Sequence, residues 1–273
     1  MRTKIILAAT VLSLAVTSCK KDFVDQADPN AGAINGGLKT ETDVLNAVNG
    51  VYQSLRSGNC VGEGAALWTD DRADDVNTTD NQSNNGEPFQ FSAFSIVPSN
   101  SYLQSHWTAL YLPISRANLV LSLIDGVTFA NEANRTIYKA ELKFIRAYMY
   151  YNLVKEFGDV PVVTERITTK EQAAALTVRQ PRQVVYDQIV TDLLDVLASN
   201  LPVRHPENGK GRVSMQAANG LLGLVYLTMG TSLDGANAQA NFTLAETYLL
   251  ACYNQRTFGK LSDIPFSDVF DVT

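Results

Sequence analysis

The chain has 273 residues, 45% of them hydrophobic, which is enough apolar material for one or two domains with a true core. Its 28 acidic residues outnumber 22 basic ones, for a formal charge of −6, and this balance argues against nucleic acid and against electrostatic adhesion to anionic lipid. Chemistry-bearing residues are sparse: His106 and His205 are the only histidines, neither lies in a metal-ligand or nucleophile motif, and no phosphate loop or Gly-x-Ser-x-Gly is present. With no such motif present, neither catalysis nor a cofactor is expected.

In chain order, Arg2 and Lys4 precede an apolar run over residues 5–16, too short to span a bilayer and shaped like a signal peptide. Val16-Thr17-Ser18-Cys19 follows, small residues directly before a cysteine, and resembles a bacterial lipobox. On that reading residues 1–18 are removed and Cys19 becomes a lipidated first residue, carrying acyl chains such as palmitate. The leader holds two basic and no acidic residues, so the mature charge falls from −6 to −8 and membrane attachment must come from lipid instead of surface charge. No second transmembrane segment is expected. Residues 19–38 form the lipidated N-terminus and a linker rich in Asn, Gly and Asp, and residues 39–273 form a helical domain. Cys60 and Cys252 remain; unlinked thiols are the default, and an oxidising compartment leaves pairing open.

The first helix is predicted to start at Thr40, which forms a capping box with Asp43, and to carry a stripe of Val44, Ala47, Val48, Val51, Tyr52 and Leu55. Residues 57–100 interrupt the helical period with glycines, prolines and polar clusters. Periodicity returns over residues 102–124, with Trp107, Leu110, Tyr111, Ile114, Leu121 and Ile124 facing a core and Pro113 expected to kink the helix or split it. Residues 140–163 read AELKFIRAYMYYNLVKEFGDVPVV, with Leu142, Ile145, Met149 and Leu153 on one stripe and Phe144, Tyr148 and Tyr151 on a second face. Gly158 suits a left-handed cap, and Pro161 prevents the helix from resuming.

A helix over residues 181–200 opens with Pro181 in its first turn and buries Val185, Ile189, Leu193, Val196 and Leu197. Ser214 caps the run SMQAANGLLGLVYLTMG, apolar almost all round, whose interior Gly220 and Gly223 predict close approach of a neighbouring helix. Residues 243–253 add a last amphipathic helix. Helix pairs with small residues, aromatics and terminal glycines fit an all-α, tetratricopeptide-like helical repeat with long irregular loops.

Three segments carry a family resemblance: the aromatic helix ending in Gly158-Asp159-Val160-Pro161, the Trp107 helix ending in Arg116-Ala117-Asn118, and Gly211-Arg212-Val213 before a helix. Taken together they resemble the SusD/RagB family, outer-membrane lipoproteins that capture nutrients, usually glycans, for a SusC-like TonB-dependent barrel. The charged Lys20-Lys21-Asp22 after Cys19 resembles surface-export signals of lipoproteins in the same phylum. The resemblance implies a lipid-anchored outer-membrane protein exposed at the cell surface, with a glycan and a transporter as partners. It also implies members longer than this chain, with a less regular C-terminal half that contributes to ligand binding.

The candidate contact chemistry lies in LWTDDRADDVNTTDNQ, residues 67–82. Sugar recognition uses an aromatic face against pyranose C–H groups, flanked by carboxylates and amides for the hydroxyls. Trp68 with Asp70, Asp71, Arg72 and Asn77 has those ingredients; alternatively Trp68 plugs the loop onto the core and the aspartates only solvate it. The aspartates lack the alternation and central glycine of a calcium loop, so no metal site is expected. Two other readings stay open: a helical-repeat adaptor that binds only protein, and a glycosidase, which would need two carboxyl groups facing across a cleft.

Overall fold

The computed structural model describes residues 37–73, 76, 78–79, 81–206, 209, 211–233, 237–257 and 259–265. The leader, Cys19 and nearly all of the linker lie outside the described residues, as does Asn77. Helix α1 (Glu41–Leu55) starts where the capping box places it: Thr40 Oγ1 accepts from Asp43 N at 3.2 Å, and Asp43 Oδ2 accepts from Thr40 N at 2.9 Å. Its Val44, Val48 and Val51 are buried.

Helix α2 (Ser101–Leu123) is capped by Asn100, whose Oδ1 accepts from Tyr102 N at 2.9 Å. Of the two outcomes expected at Pro113, a kink or a split, the split does not occur, because Leu110, Pro113, Ile114 and Ala117 are all buried and packing on both sides of the proline keeps one element. Only one intrahelical bond is lost there, a local cost that tertiary burial overrides. Residues Ser101–Gly126 are long and apolar enough to cross a membrane by length and composition, contrary to expectation. They are placed instead as a core helix between α1 and its successor.

That successor, α3 (Glu132–Phe157), begins at an Asn131 cap well ahead of residue 140. Its first turns are polar, held by Glu132–Arg135 and Lys139–Asp125 ion pairs, so an apolar stripe could not reveal them. The predicted stripe of Leu142, Ile145, Met149 and Leu153 is buried, and Tyr151 with it. Gly158 has φ +71° and ψ −118°, a positive-φ turn as expected but away from the left-handed helical well. Beyond it Val160–Pro161 (β1) pairs antiparallel with Arg179–Gln180 (β2), a two-residue ribbon closed over the short helix α4 (Lys170–Leu176). Neither ribbon nor α4 has enough period to be read from sequence.

Helix α5 (Arg182–Leu197) follows with Pro181 at the cap position, one residue outside the predicted first turn. Asp159 Oδ1 accepts from Arg182 N at 2.9 Å and so ties the turn after α3 to the start of α5. Helix α6 (Met215–Ser232) is capped by Ser214, and α7 (Ala238–Asn254) lies along it. The interior glycines account for that contact. A Cβ on Gly223 would sit 2.6 Å from Leu249 Cγ, and one on Gly220 would sit 3.3 Å from Cys252 Sγ. Helices α1, α2, α3, α5, α6 and α7 therefore stack in chain order, an all-α repeat of tetratricopeptide type. Cys60 and Cys252 are both free; burial, then the Glu156 charge, pushes the Cys60 thiol up to about 11, which keeps it protonated.

Two buried polar clusters pin the stack. In one, Arg146 of α3 makes a bidentate pair with Asp192 of α5 at 2.8 and 2.7 Å, and donates to Asn118 Oδ1 of α2 and to the Thr164 carbonyl. In the other, Glu141 of α3 is fully buried and accepts from Arg212 at 2.6 Å, while Arg212 also donates to Asn49 of α1. Burial pushes the Glu141 carboxyl above its ordinary value, against the opposing pull of Arg212. The folded chain thus holds this proton where the unfolded chain has released it. Stability from the group is full below the unfolded pKa and is lost as pH rises through the raised folded value. Glu141→Gln keeps an oxygen for Arg212 and is expected to remove that fall from urea melts taken between acid and neutral pH. Parallel curves for variant and wild type would count against it.

Candidate ligand-binding site

Residues 57–100, between α1 and α2, fold into single turns that side-chain bonds hold together. Glu63–Ala66 leads to Trp68, then come a 3-10 turn at Asp70–Arg72, another at Ser83–Gly86 and a helical turn at Phe89–Ser92. Thr78 joins the parts: its hydroxyl donates to Asp71 Oδ2 at 2.8 Å and its N–H to Ser92 Oγ at 3.0 Å. Asn100 Nδ2 donates to the Glu87 carbonyl and to Gln90 Oε1, so the cap of α2 also fastens the loop.

Trp68 is placed inward. Only 9% of its surface is exposed, its ring stacks at 5.2 Å on His106, and Phe91 and Phe157 pack at 5.2 and 5.1 Å. His106 is itself buried, donating from Nδ1 to the Asn59 carbonyl and bonding Glu156 through Nε2 at 2.7 Å. The indole therefore anchors the loop to α2 and α3 and presents no open face, which is the packing alternative raised by the sequence. Asp70 and Arg72 are exposed on one turn, and Asp71, half-buried, points its carboxylate at Thr78. Asp70, Asp71 and Arg72 are thus brought together, Trp68 faces away from solvent beside them, and Asn77 is outside the described residues.

Asp71 and Thr78 line a cavity of about 440 Å³ together with Asn59 and Tyr102, a wall with hydroxyl, carboxylate and backbone partners for a hydroxylated ligand. A second cavity of about 500 Å³ opens between α2 and residues 161–167, lined by Trp107, Tyr111, Asn118, Glu165 and Arg166. Tyr111 donates to the Pro161 carbonyl at 2.8 Å, and Asn118 bonds both Val163 and Arg146.

Sequence reasoning missed Phe94. The turn Phe89–Ser92 ends in a Schellman arrangement, with Ser95 N bonded to the Gln90 carbonyl at 2.9 Å and Phe94 N to the Phe91 carbonyl at 3.2 Å. Phe94 fills the left-handed position at φ +51°, where glycine is usual and a bulky residue costs on the order of 1–3 kcal/mol. Its side chain is 69% exposed and the Arg72 guanidinium lies over the ring, 5.6 Å from the centroid. Arg72 makes no ion pair among the described residues. The signal that could have found Phe94 was an apolar residue between serines in QFSAFSI, out of step with the neighbouring helical turn.

Comparison with known proteins decides the family: residues 22–227 match the SusD-like family described as starch-binding and associating with the outer membrane. The chain belongs to the SusD-like family. SusD-like protein P25 of Formosa agariphila is 30% identical over 226 residues, which cover 80% of this chain and 42% of that protein. A SusD-like protein of Bacteroides ovatus is 24% identical over 256 residues, 91% of this chain and 43% of that one. Among solved structures, a laminarin-binding SusD-like protein matches with TM-score 0.64 at 30% identity, over 74% of this chain and 42% of its own. Surface glycan-binding protein A of Bacteroides thetaiotaomicron, in complex with laminarihexaose, matches in fold with TM-score 0.67 at 21% identity, over 86% of this chain and 47% of its own. The chain spans less than half the length of these SusD-like relatives. Several residues within the family-like segments do structural work here. Arg146 and Asn118 belong to one buried network and Arg212 to the other.

Proposed function

We propose that this chain is a glycan-binding lipoprotein, anchored in the outer membrane through Cys19 and exposed at the cell surface, that captures oligosaccharides for import through a SusC-like TonB-dependent barrel. The observation that carries the reading is the SusD-like match over residues 22–227, joined by the 30% identity to a laminarin-binding SusD-like structure. The loop cavity at Asp71, Thr78 and Tyr102 supports it with hydrogen-bonding chemistry suited to hydroxyls. A binding role in preference to catalysis agrees with a family described as starch-binding and with relatives that bind laminarin or glycans.

The test is retardation of the purified chain in gels containing laminarin or soluble starch, paired with a tagged pull-down from detergent-solubilised outer membranes. Retardation and recovery of a large barrel are expected, as is release of Cys19→Ala from the membrane fraction. Recovery of a barrel without affinity for either polysaccharide would favour a protein-only adaptor. A Cys19→Ala chain that stays in the membrane would overturn the lipid anchor.

A further inference from the structure

We infer that Phe94, backed by Arg72, is the sugar-stacking platform of this chain; the assignment rests on the glycan-binding reading above and specifies which surface holds the ring. The argument begins with what the fold itself requires. Two hydrogen bonds, Ser95 N to Gln90 O and Phe94 N to Phe91 O, close the turn after Phe89–Ser92 and need a residue at positive φ. Glycine meets that need without strain, and all that phenylalanine adds within the fold is the contact of its ring with Arg72. The ring is not recovered as core either, since 69% of its surface stays exposed. A strained backbone position occupied by an exposed aromatic therefore serves something outside the fold.

The surroundings specify the ligand class. Arg72 lies over the ring at 5.6 Å, which fixes the phenyl orientation and leaves guanidinium N–H donors beside it. Asp70, exposed in the same turn as Arg72, supplies a carboxylate acceptor, while Asp71 is bonded to Thr78. A flat apolar face bordered by both donors and acceptors fits a pyranose, whose C–H face packs on the ring while its equatorial hydroxyls reach the polar rim. The mixed signs of the rim favour a neutral sugar over an anionic one. Trp68, the aromatic that the sequence singles out, stands behind this surface as its anchor, stacked on His106.

Phe94→Gly separates stability from binding in the full chain. The variant is expected to melt at a higher temperature, because the positive-φ strain is gone, and yet to bind laminarin about ten-fold more weakly. Phe94→Trp, which restores a ring, is expected to recover binding. Equal laminarin affinity in wild type and a folded Phe94→Gly overturns the platform and leaves the glycan reading standing. A wild-type chain that binds neither laminarin nor starch removes the glycan reading and the platform together.

Discussion

Asp192→Ala is expected to lower the unfolding free energy by about 3–5 kcal/mol, because it strands a buried guanidinium. Arg146 and Asp192 have side chains only 6% and 2% exposed and meet through two hydrogen bonds, so neither charge has water to fall back on. The remaining Arg146 donors go to Asn118 Oδ1 at 2.7 Å and to the Thr164 carbonyl at 2.9 Å. Asn118 in turn bonds the Val163 carbonyl, and the Tyr150 hydroxyl bonds both the carbonyl and the N–H of Val163. One cluster thereby joins α2, α3, α5 and the segment that follows β1. Denaturant melts of Asp192→Ala measure its worth, and a loss below about 1 kcal/mol would show that water reaches the pair. The double variant Arg146→Met with Asp192→Leu is expected to recover most of the loss, since packed apolar groups replace a buried pair at little net cost.

Trp68→Ala is expected to undock residues 57–100 from the helical stack, at a cost of about 3–5 kcal/mol in local stability. The indole is the hub of contacts from Phe91 in the loop, His106 in α2 and Phe157 in α3, and among the described residues no other aromatic touches all three. Its Nε1 is buried without a hydrogen-bond partner, so the anchoring is ring packing and not a polar bond. Trp68→Phe should accordingly hold the loop far better than Trp68→Ala. Hydrogen exchange reads the difference: faster exchange confined to residues 57–100 in the alanine variant, with α3 and α5 unchanged, supports the anchor. Unchanged exchange in that loop would refute it. Loss of glycan binding in Trp68→Ala alone would not mark Trp68 as a ligand contact, because the Arg72–Phe94 surface sits on the same loop.

Much of the fold was legible because its signals are local. The Thr40–Asp43 box, the Ser214 cap and the stripe from Leu142 to Leu153 each depend on residues within a few turns of one another, and each stands where the sequence puts it. Gly220 and Gly223 announced a close helix neighbour, since nothing local rewards glycine inside a helix. The polar opening of α3 and the short α4 escaped notice for the converse reason: ion pairs and single caps leave no apolar period. Pro113 left a kink or a split open, and the split was excluded only by burial that the neighbouring helices supply.

The site shows the same division more sharply. The residues brought to one turn, Asp70 to Arg72, were visible as a polar cluster after an aromatic. Which aromatic meets solvent was not, since a tryptophan and a phenylalanine in an irregular stretch carry no period to orient them. Sequence alone determined the order of the long helices, the Thr40 and Ser214 caps and the family to which the chain belongs. Only the tertiary structure turned Trp68 inward against His106 and Phe157, and left Phe94 outward under Arg72. Those orientations are decided by contacts between residues far apart in the chain, and by a turn geometry that the side chain itself disfavours.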